Sequence, residues 1–310
     1  RRGSCSPRSR TPSSGEAAHG GAHAGCYTAV MRQTTALLLA VLAAPAAAGA
    51  GELELTGFGG YTFPFYSQTF RYTPGPVSVP IPGVGVEQGG SFGIETSGAV
   101  GFGAAATFYV SEGFGFEVRY DRADITLEPL PSTYSVKVTL PAPLDPVAAD
   151  LDFPPGTADL DAAAPLSLNL KMRTGGRVRL TVSGGASRLG DVAGEVGQTI
   201  GLGITVFDLE SGNLQVSSLG VRATAPADGK TQWGGNLGLG FQIPLGERAA
   251  LVLEGRGFYF PKRMVEWEPV ADRPLTGIEQ ALLARVLESL PPVEFEPWWV
   301  QASAGIAIRF

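Results

Sequence analysis

Apolar and polar side chains alternate with a period of two in a series of segments that begins at residue 52 and ends at the last residue. Glu52–Phe63 puts Leu53, Leu55, Gly57, Gly59, Tyr61 and Phe63 on one side. Ser97–Val110 does the same with Val100, Phe102, Ala104, Ala106, Phe108 and Val110. In Phe114–Ala123, Phe116, Val118 and Tyr120 oppose Glu117, Arg119 and Asp121, and in Leu166–Arg173 four apolar positions oppose Ser167, Asn169, Lys171 and Arg173. Arg177–Ala186, Thr231–Ile243 and Ala249–Phe260 continue the pattern. The last segment sets Val300, Ala302, Ala304, Ile306, Ile308 and Phe310 against Gln301, Ser303, Gly305, Ala307 and Arg309. A period of two predicts strands with one apolar face.

The connections alternate too. Short turns at Ser111-Glu112-Gly113, Gly175-Gly176 and Pro244–Glu247 are separated by four long stretches rich in Pro, Gly, Ser or Asp. A Gly-Gly pair between alternating runs is a strong hairpin signal. Soluble sandwiches predict no such asymmetry, whereas transmembrane barrels have an even strand number, short turns at one end and long loops at the other. Because lipid satisfies no backbone polar group, only closure removes the sheet edges. The expectation is an all-β, antiparallel up-and-down transmembrane barrel of eight strands. Ten is the alternative, if Thr199–Phe207 and Leu214–Arg222 also span. Ser218, Gly220 and Arg222 interrupt the would-be lipid face of that second run, which favours eight.

The N-terminal part carries export chemistry. Met31 and Arg32 precede an apolar run from Thr35 to Leu42, then small residues with an A-x-A-like site between Ala46 and Ala50. This reads as a signal peptide over 31–50, too short to span a membrane as a helix. Residues 1–30 read as an upstream extension of the gene model, which leaves a barrel domain over 51–310. Both cysteines (Cys5, Cys26) and both histidines (His19, His23) fall before residue 51, as do five arginines and one glutamate. The remaining chain has 18 basic and 28 acidic residues, a net charge of −10. That acidity argues against nucleic-acid binding.

With signal peptide, paired strands, long loops and the terminal run Ile306-Ala307-Ile308-Arg309-Phe310 in place, the chain resembles the small bacterial outer-membrane barrels of the OmpA/OmpX type. The resemblance implies an outer-membrane location, contact with outer-membrane lipid, and a C-terminal strand (Ile306, Ile308, Phe310) that serves as the signal to the barrel-assembly machinery. It brings no functional motif, and the chain is expected to be a monomer. Tyr61, Phe63, Phe65, Tyr109, Tyr120, Trp233, Phe258, Tyr259, Phe260, Trp298 and Trp299 gather near strand ends, as girdle aromatics do.

The polar strand faces collect Glu54, Glu117, Arg119, Asp121, Lys171, Arg173, Arg177, Arg179, Glu254, Arg256 and Arg309. An eight-stranded barrel has room only for its own side chains. Mixed charges there are expected to pair and fill the lumen, because unpaired buried charge is costly. The preferred function is therefore structural or surface-interactive, with no surface ligand that can be named. A small-solute channel lined by these arginines is the alternative, and a lipid-modifying barrel enzyme is a second one. With no imidazole past residue 50, His-dependent nucleophile activation is unavailable, and no catalytic, cofactor or metal residue is assigned. The acidic stretch with Asp145, Asp150, Asp152, Asp159 and Asp161 lacks EF-hand spacing and reads as solvated. Thr276-Gly277-Ile278-Glu279 has capping-box form, and Ile278, Leu282, Val286 and Leu290 follow at helical spacing, which predicts one helix in the fourth long loop with those four on its apolar face and Glu279, Arg285 and Glu288 on its solvated face.

Overall fold

The computed structural model describes residues 51–75, 82–143, 145–190, 192–207, 214–225, 231–271 and 273–310. The signal-peptide reading and the cysteine and histidine positions lie outside these residues.

Eight strands close into a barrel. They are β1 (Glu52–Pro64), β2 (Val100–Ser111), β3 (Phe114–Ala123), β4 (Leu166–Arg173), β5 (Arg179–Leu189), β6 (Gln232–Pro244), β7 (Ala249–Tyr259) and β8 (Trp298–Arg309). Each pairs antiparallel with its chain neighbour, and β1 pairs with β8 to close the ring. This is the small, eight-stranded, up-and-down architecture of the OmpA/OmpX-like barrels. At the seam Glu54 stands opposite Arg309, and Leu55 opposite Ile308.

The outward side chains are apolar and exposed, among them Phe116, Leu168, Leu170, Leu237, Leu239, Phe241, Ile306 and Ile308. A continuous apolar belt of this extent is not tolerated on a water-soluble monomer. Outward-facing Arg122 and Arg188 sit at the belt's long-loop edge, where Trp233 stands opposite Arg188. Tyr61, Phe63, Phe65, Trp233, Tyr259 and Trp298 project outward there as a girdle. Four of the expected girdle residues do not. Tyr109, Phe258, Phe260 and Trp299 are buried, on the inward parity of their strands or just past a strand end.

The long connections are folded. Strands Ser67–Tyr72, Gly85–Ser97, Ser132–Thr139 and Val147–Phe153 form one sheet, with Thr126–Pro129 added beside Gly85–Ser97. Thr157–Leu160, Gly194–Phe207, Leu214–Ala225 and Trp267–Val270 form a second. The two sheets enclose a shared core in which Phe70, Phe92, Ile94, Tyr134, Val136, Ile200, Leu202, Val221 and Trp267 meet. The Phe70 and Phe92 rings stack with centroids 4.8 Å apart, and Trp267 stands edge-on to both at 5.4 Å. The expected outer loops are thus a β-sandwich with its own core. The Gly194–Phe207/Leu214–Ala225 hairpin belongs to it, so the barrel has eight strands rather than ten.

Helix α1 (Gly277–Ser289) packs on this sandwich. Its capping box is formed as the spacing predicts: Glu279 N–H donates to Thr276 Oγ1 at 3.3 Å, and Thr276 N–H donates to Glu279 Oε2 at 2.9 Å. Its faces differ from expectation. Ile278 is exposed, while Glu279 is buried with Leu282, Leu283 and Val286, because Glu279 also receives hydrogen bonds from Arg273 and Ser217. Arg285 and Glu288 are exposed as expected.

Candidate functional site

Alternate residues of every barrel strand point inward, and β1, β3, β4, β5, β7 and β8 carry charged side chains among them. The turn end of the lumen holds Glu52, Arg173, Arg179 and Arg309. Arg173 donates to both Glu52 oxygens, at 2.9 and 2.8 Å, and its guanidinium lies 3.6 Å from the Tyr109 ring centroid. Arg309 Nε donates to Glu54 Oε2 at 3.1 Å, and Gln242 bridges the two, donating to Glu54 Oε1 at 2.8 Å and accepting from Arg309 at 3.0 Å.

The network then climbs strand by strand. Lys171 Nζ lies 3.5 Å from Glu54 and 3.0 Å from Glu117. Glu117 also accepts from Asn169 at 2.9 Å and from Arg256 at 3.1 Å. Arg256 donates to Glu254 at 2.7 Å and to Ser183 at 2.6 Å, and it bonds the Asn236 carbonyl. Arg119 donates to Glu254 at 2.7 Å and grips both Asp121 oxygens, at 2.9 and 3.0 Å from Nε. Its guanidinium lies 3.8 Å from the Phe58 ring centroid. From Arg309 to Asp121, acid and base alternate without a break. The void among Thr56, Phe58, Glu117, Arg119, Lys171 and Glu254 has a volume of about 10 Å³, the space of about one water molecule.

Two glycines make this packing possible. A Cβ on Gly238 would stand 2.9 Å from an Arg256 nitrogen and from Ser183 Oγ, and one on Gly103 would stand 2.5 Å from the Phe58 ring. Small residues here leave the volume that the Arg256 guanidinium and the Phe58 ring occupy.

Above the charges the filling turns apolar. The Phe258, Trp299 and Phe260 rings stack with centroids 5.1 and 5.5 Å apart, packed with Ala163, Leu189 and Val192. Just below, Thr62 and Gln301 stand opposite each other between β1 and β8, and their buried side-chain polar atoms have no hydrogen-bond partner.

Of the eleven predicted lumen residues, nine join this network. Arg177 does not. The connection between β4 and β5 runs from Thr174 to Val178, longer than a two-residue turn, with Gly176 at φ 113°, and it carries Arg177 out into solvent. Arg179 reaches the turn end half-buried, with one guanidinium nitrogen buried and unpaired. The neutral bridging groups Asn169, Asn236, Gln242 and Ser183 and the rings of Phe58 and Tyr109 complete the network. The same inward parity marks all of them in the sequence. The terminal Ile306, Ile308 and Phe310 lie exposed on the lipid-facing side of β8 and just past its end.

The acidic stretch is not gathered into a site. Asp150 and Asp152 sit exposed on one sheet and Asp159 on the other. Among the described residues, no group of three or more His, Cys, Asp or Glu side chains is placed to hold a metal ion. The carboxylates Glu117 and Asp121, four residues apart on the same face of β3, are each held by cations in the network.

No family model matches the chain, and no curated protein matches it. Solved structures do. The outer membrane protein OprG from Pseudomonas aeruginosa is 14% identical, with 84% of this chain and 96% of that one covered and a TM-score of 0.40. The N-terminal β-barrel domain of Pseudomonas aeruginosa OprF is 9% identical, with 84% and 100% covered and a TM-score of 0.33. The outer membrane protease OmpT from Escherichia coli is 8% identical, with 84% and 97% covered and a TM-score of 0.34.

Proposed function

We propose that this protein is an outer-membrane barrel with a filled lumen, which anchors the folded sandwich at the cell surface and presents it to partners there. The unbroken chain of buried ion pairs from Arg309 to Asp121 carries this reading. Each charge in it has an opposite charge within hydrogen-bond distance, whose attraction offsets part of the cost of taking it out of water. The apolar belt supports the membrane location, and the side of the short turns would face the periplasm. The terminal strand would be handed to the assembly machinery, and the mature chain would act as a monomer. A small-solute channel would need this network to come apart, and a lipid-modifying enzyme would need a nucleophile with a free activating base, whereas Glu117, the carboxylate beside the Thr107 hydroxyl, is held by Lys171 and Arg256.

The test is solute leakage from liposomes carrying the folded protein, with folding scored by the mobility shift between boiled and unboiled gel samples. A heat-modifiable protein whose liposomes retain a small entrapped sugar is the expected result. Rapid loss of that sugar contradicts the filled lumen, and identical mobility with and without boiling contradicts the barrel in the membrane.

A further inference from the structure

The lumen takes every carboxylate that the barrel strands carry: Glu52, Glu54, Glu117, Asp121 and Glu254 all lie on the inward parity. Among the described residues, the lipid-facing parity of the same strands carries two charged side chains, and both are arginines, Arg122 on β3 and Arg188 on β5. Arg188 is exposed, and Arg122 meets Asp124 at 3.3 Å with both side chains open to solvent. An exposed pair of that kind holds its members weakly.

Strand pairing brings the two arginines together. Leu166 stands opposite both Tyr120 and Arg188, and Arg122 lies two residues beyond Tyr120. Only β4 separates them, which puts their backbones about 10 Å apart across the sheet and about 7 Å along it. Beneath them is a shallow groove. Two residues below Arg188 and Trp233, the outward row runs Leu168, Ala186, Gly235, Tyr259 from β4 to β7. Two small positions thus lie between two large ones, with cations above and the apolar belt below. Trp233, opposite Arg188, marks the level as that of the aromatic girdle, where lipid headgroups meet their chains.

We infer that Arg122 and Arg188 together hold the phosphate of an anionic lipid in the leaflet on the long-loop side, with an acyl chain in the Ala186–Gly235 groove. Guanidinium groups bind phosphate through paired hydrogen bonds, and long arginine stems lie along apolar surface while their heads reach the headgroup layer. In a zwitterionic lipid the phosphate is partly neutralised by the lipid's own ammonium, so the site selects net negative charge. The inference rests on the membrane location proposed above and not on the filled lumen, since the site is outside the barrel wall.

The test is tryptophan quenching in vesicles of phosphatidylcholine into which the full chain has been folded. A rising fraction of the lipid is replaced by chain-brominated phosphatidylglycerol or, in a parallel series, by chain-brominated phosphatidylcholine. Bromine quenches an indole that its chain touches, so the two series give the relative affinity for the anionic lipid. Wild type should be quenched more by phosphatidylglycerol, and Trp233→Phe should remove that excess, because the site lies beside this indole. Arg122→Gln and Arg188→Gln should each lower the preference by about fivefold, and the double variant should lose it. Arg177→Gln removes the same charge at the opposite end of the barrel and should leave the preference intact. Equal quenching by the two lipids in heat-modifiable wild type overturns the inference and leaves the membrane location standing. An excess that survives in the double variant or in Trp233→Phe, or that falls equally in Arg177→Gln, overturns it too. Identical gel mobility with and without boiling overturns the membrane location, and this inference with it.

Discussion

Lys171 Nζ stands 3.0 Å from Glu117 Oε2 and 3.5 Å from Glu54 Oε1, so one ammonium on β4 is shared by carboxylates on β3 and β1. All three side chains are shielded from solvent. Removing one partner of such a group strands the others, at a cost of about 3–5 kcal/mol. Glu117→Leu alone should therefore lower stability by about that amount, measured as the urea midpoint of the folded barrel in lipid vesicles. Adding Lys171→Met should recover part of the loss, because the stranded ammonium is gone. Additive single and double effects would show that the pair is not coupled.

Two buried glutamines offer an internal contrast. Gln242 bridges Glu54 and Arg309, whereas both amide atoms of Gln301 lack a partner. Gln242→Met should cost about 1–3 kcal/mol, and Gln301→Met should be neutral or stabilising, because it removes unsatisfied polar atoms. The same unfolding assay decides it. A Gln301→Met loss equal to that of Gln242→Met would show that Gln301 is satisfied in solution.

The outer sandwich should respond to acid through Glu279. Its carboxyl is held well below the usual carboxylate range, first by the Arg273 guanidinium and then by the Thr276 N–H. A lowered folded-state value means that its contribution is present above the unfolded value, roughly 4.3, and is lost as pH falls through the folded one. Wild type should thus be more stable than Glu279→Gln from neutral pH down to about pH 5, and the gap should close only under strongly acidic conditions. Tryptophan fluorescence during urea unfolding, repeated across pH, gives both curves. A gap that closes near neutrality would remove the ion pair from the account.

The barrel's inward and outward faces were legible because parity alone sorts them: the residues flanking Lys171 on β4 face lipid, and Lys171 itself cannot. The sandwich was not legible. Phe70 with Tyr72, and Tyr134 with Val136 and Val138, alternate over segments of six and eight residues, and their partners lie in other loops far along the chain. Short strands among Pro and Gly look like loops until the distant strands that cover them are known. The Gly194–Phe207/Leu214–Ala225 hairpin was readable as non-spanning, since Ser218, Gly220 and Arg222 lie on the face opposite Leu219, Val221 and Ala223, which pack into the sandwich core. Arg177 was misplaced because a Gly-Gly pair suggests a two-residue turn, and the longer connection shifts the start of β5 to Arg179.

Surface display predicts a labelling contrast on α1. Ile278 is 72% exposed and Val286 is fully buried. With Cys5 and Cys26 replaced by Ser, Ile278→Cys should react with a membrane-impermeant maleimide on intact cells, and Val286→Cys should react only after unfolding. Labelling of Ile278→Cys that requires permeabilised cells would place the sandwich on the inner side.

The filled lumen is tested most directly by current across a planar bilayer into which the purified, heat-modifiable protein has been inserted. The ion-pair chain and the Phe258–Trp299–Phe260 stack predict no steady unit conductance at moderate voltage in molar salt. Steady, reproducible unit currents from the wild-type chain would contradict it.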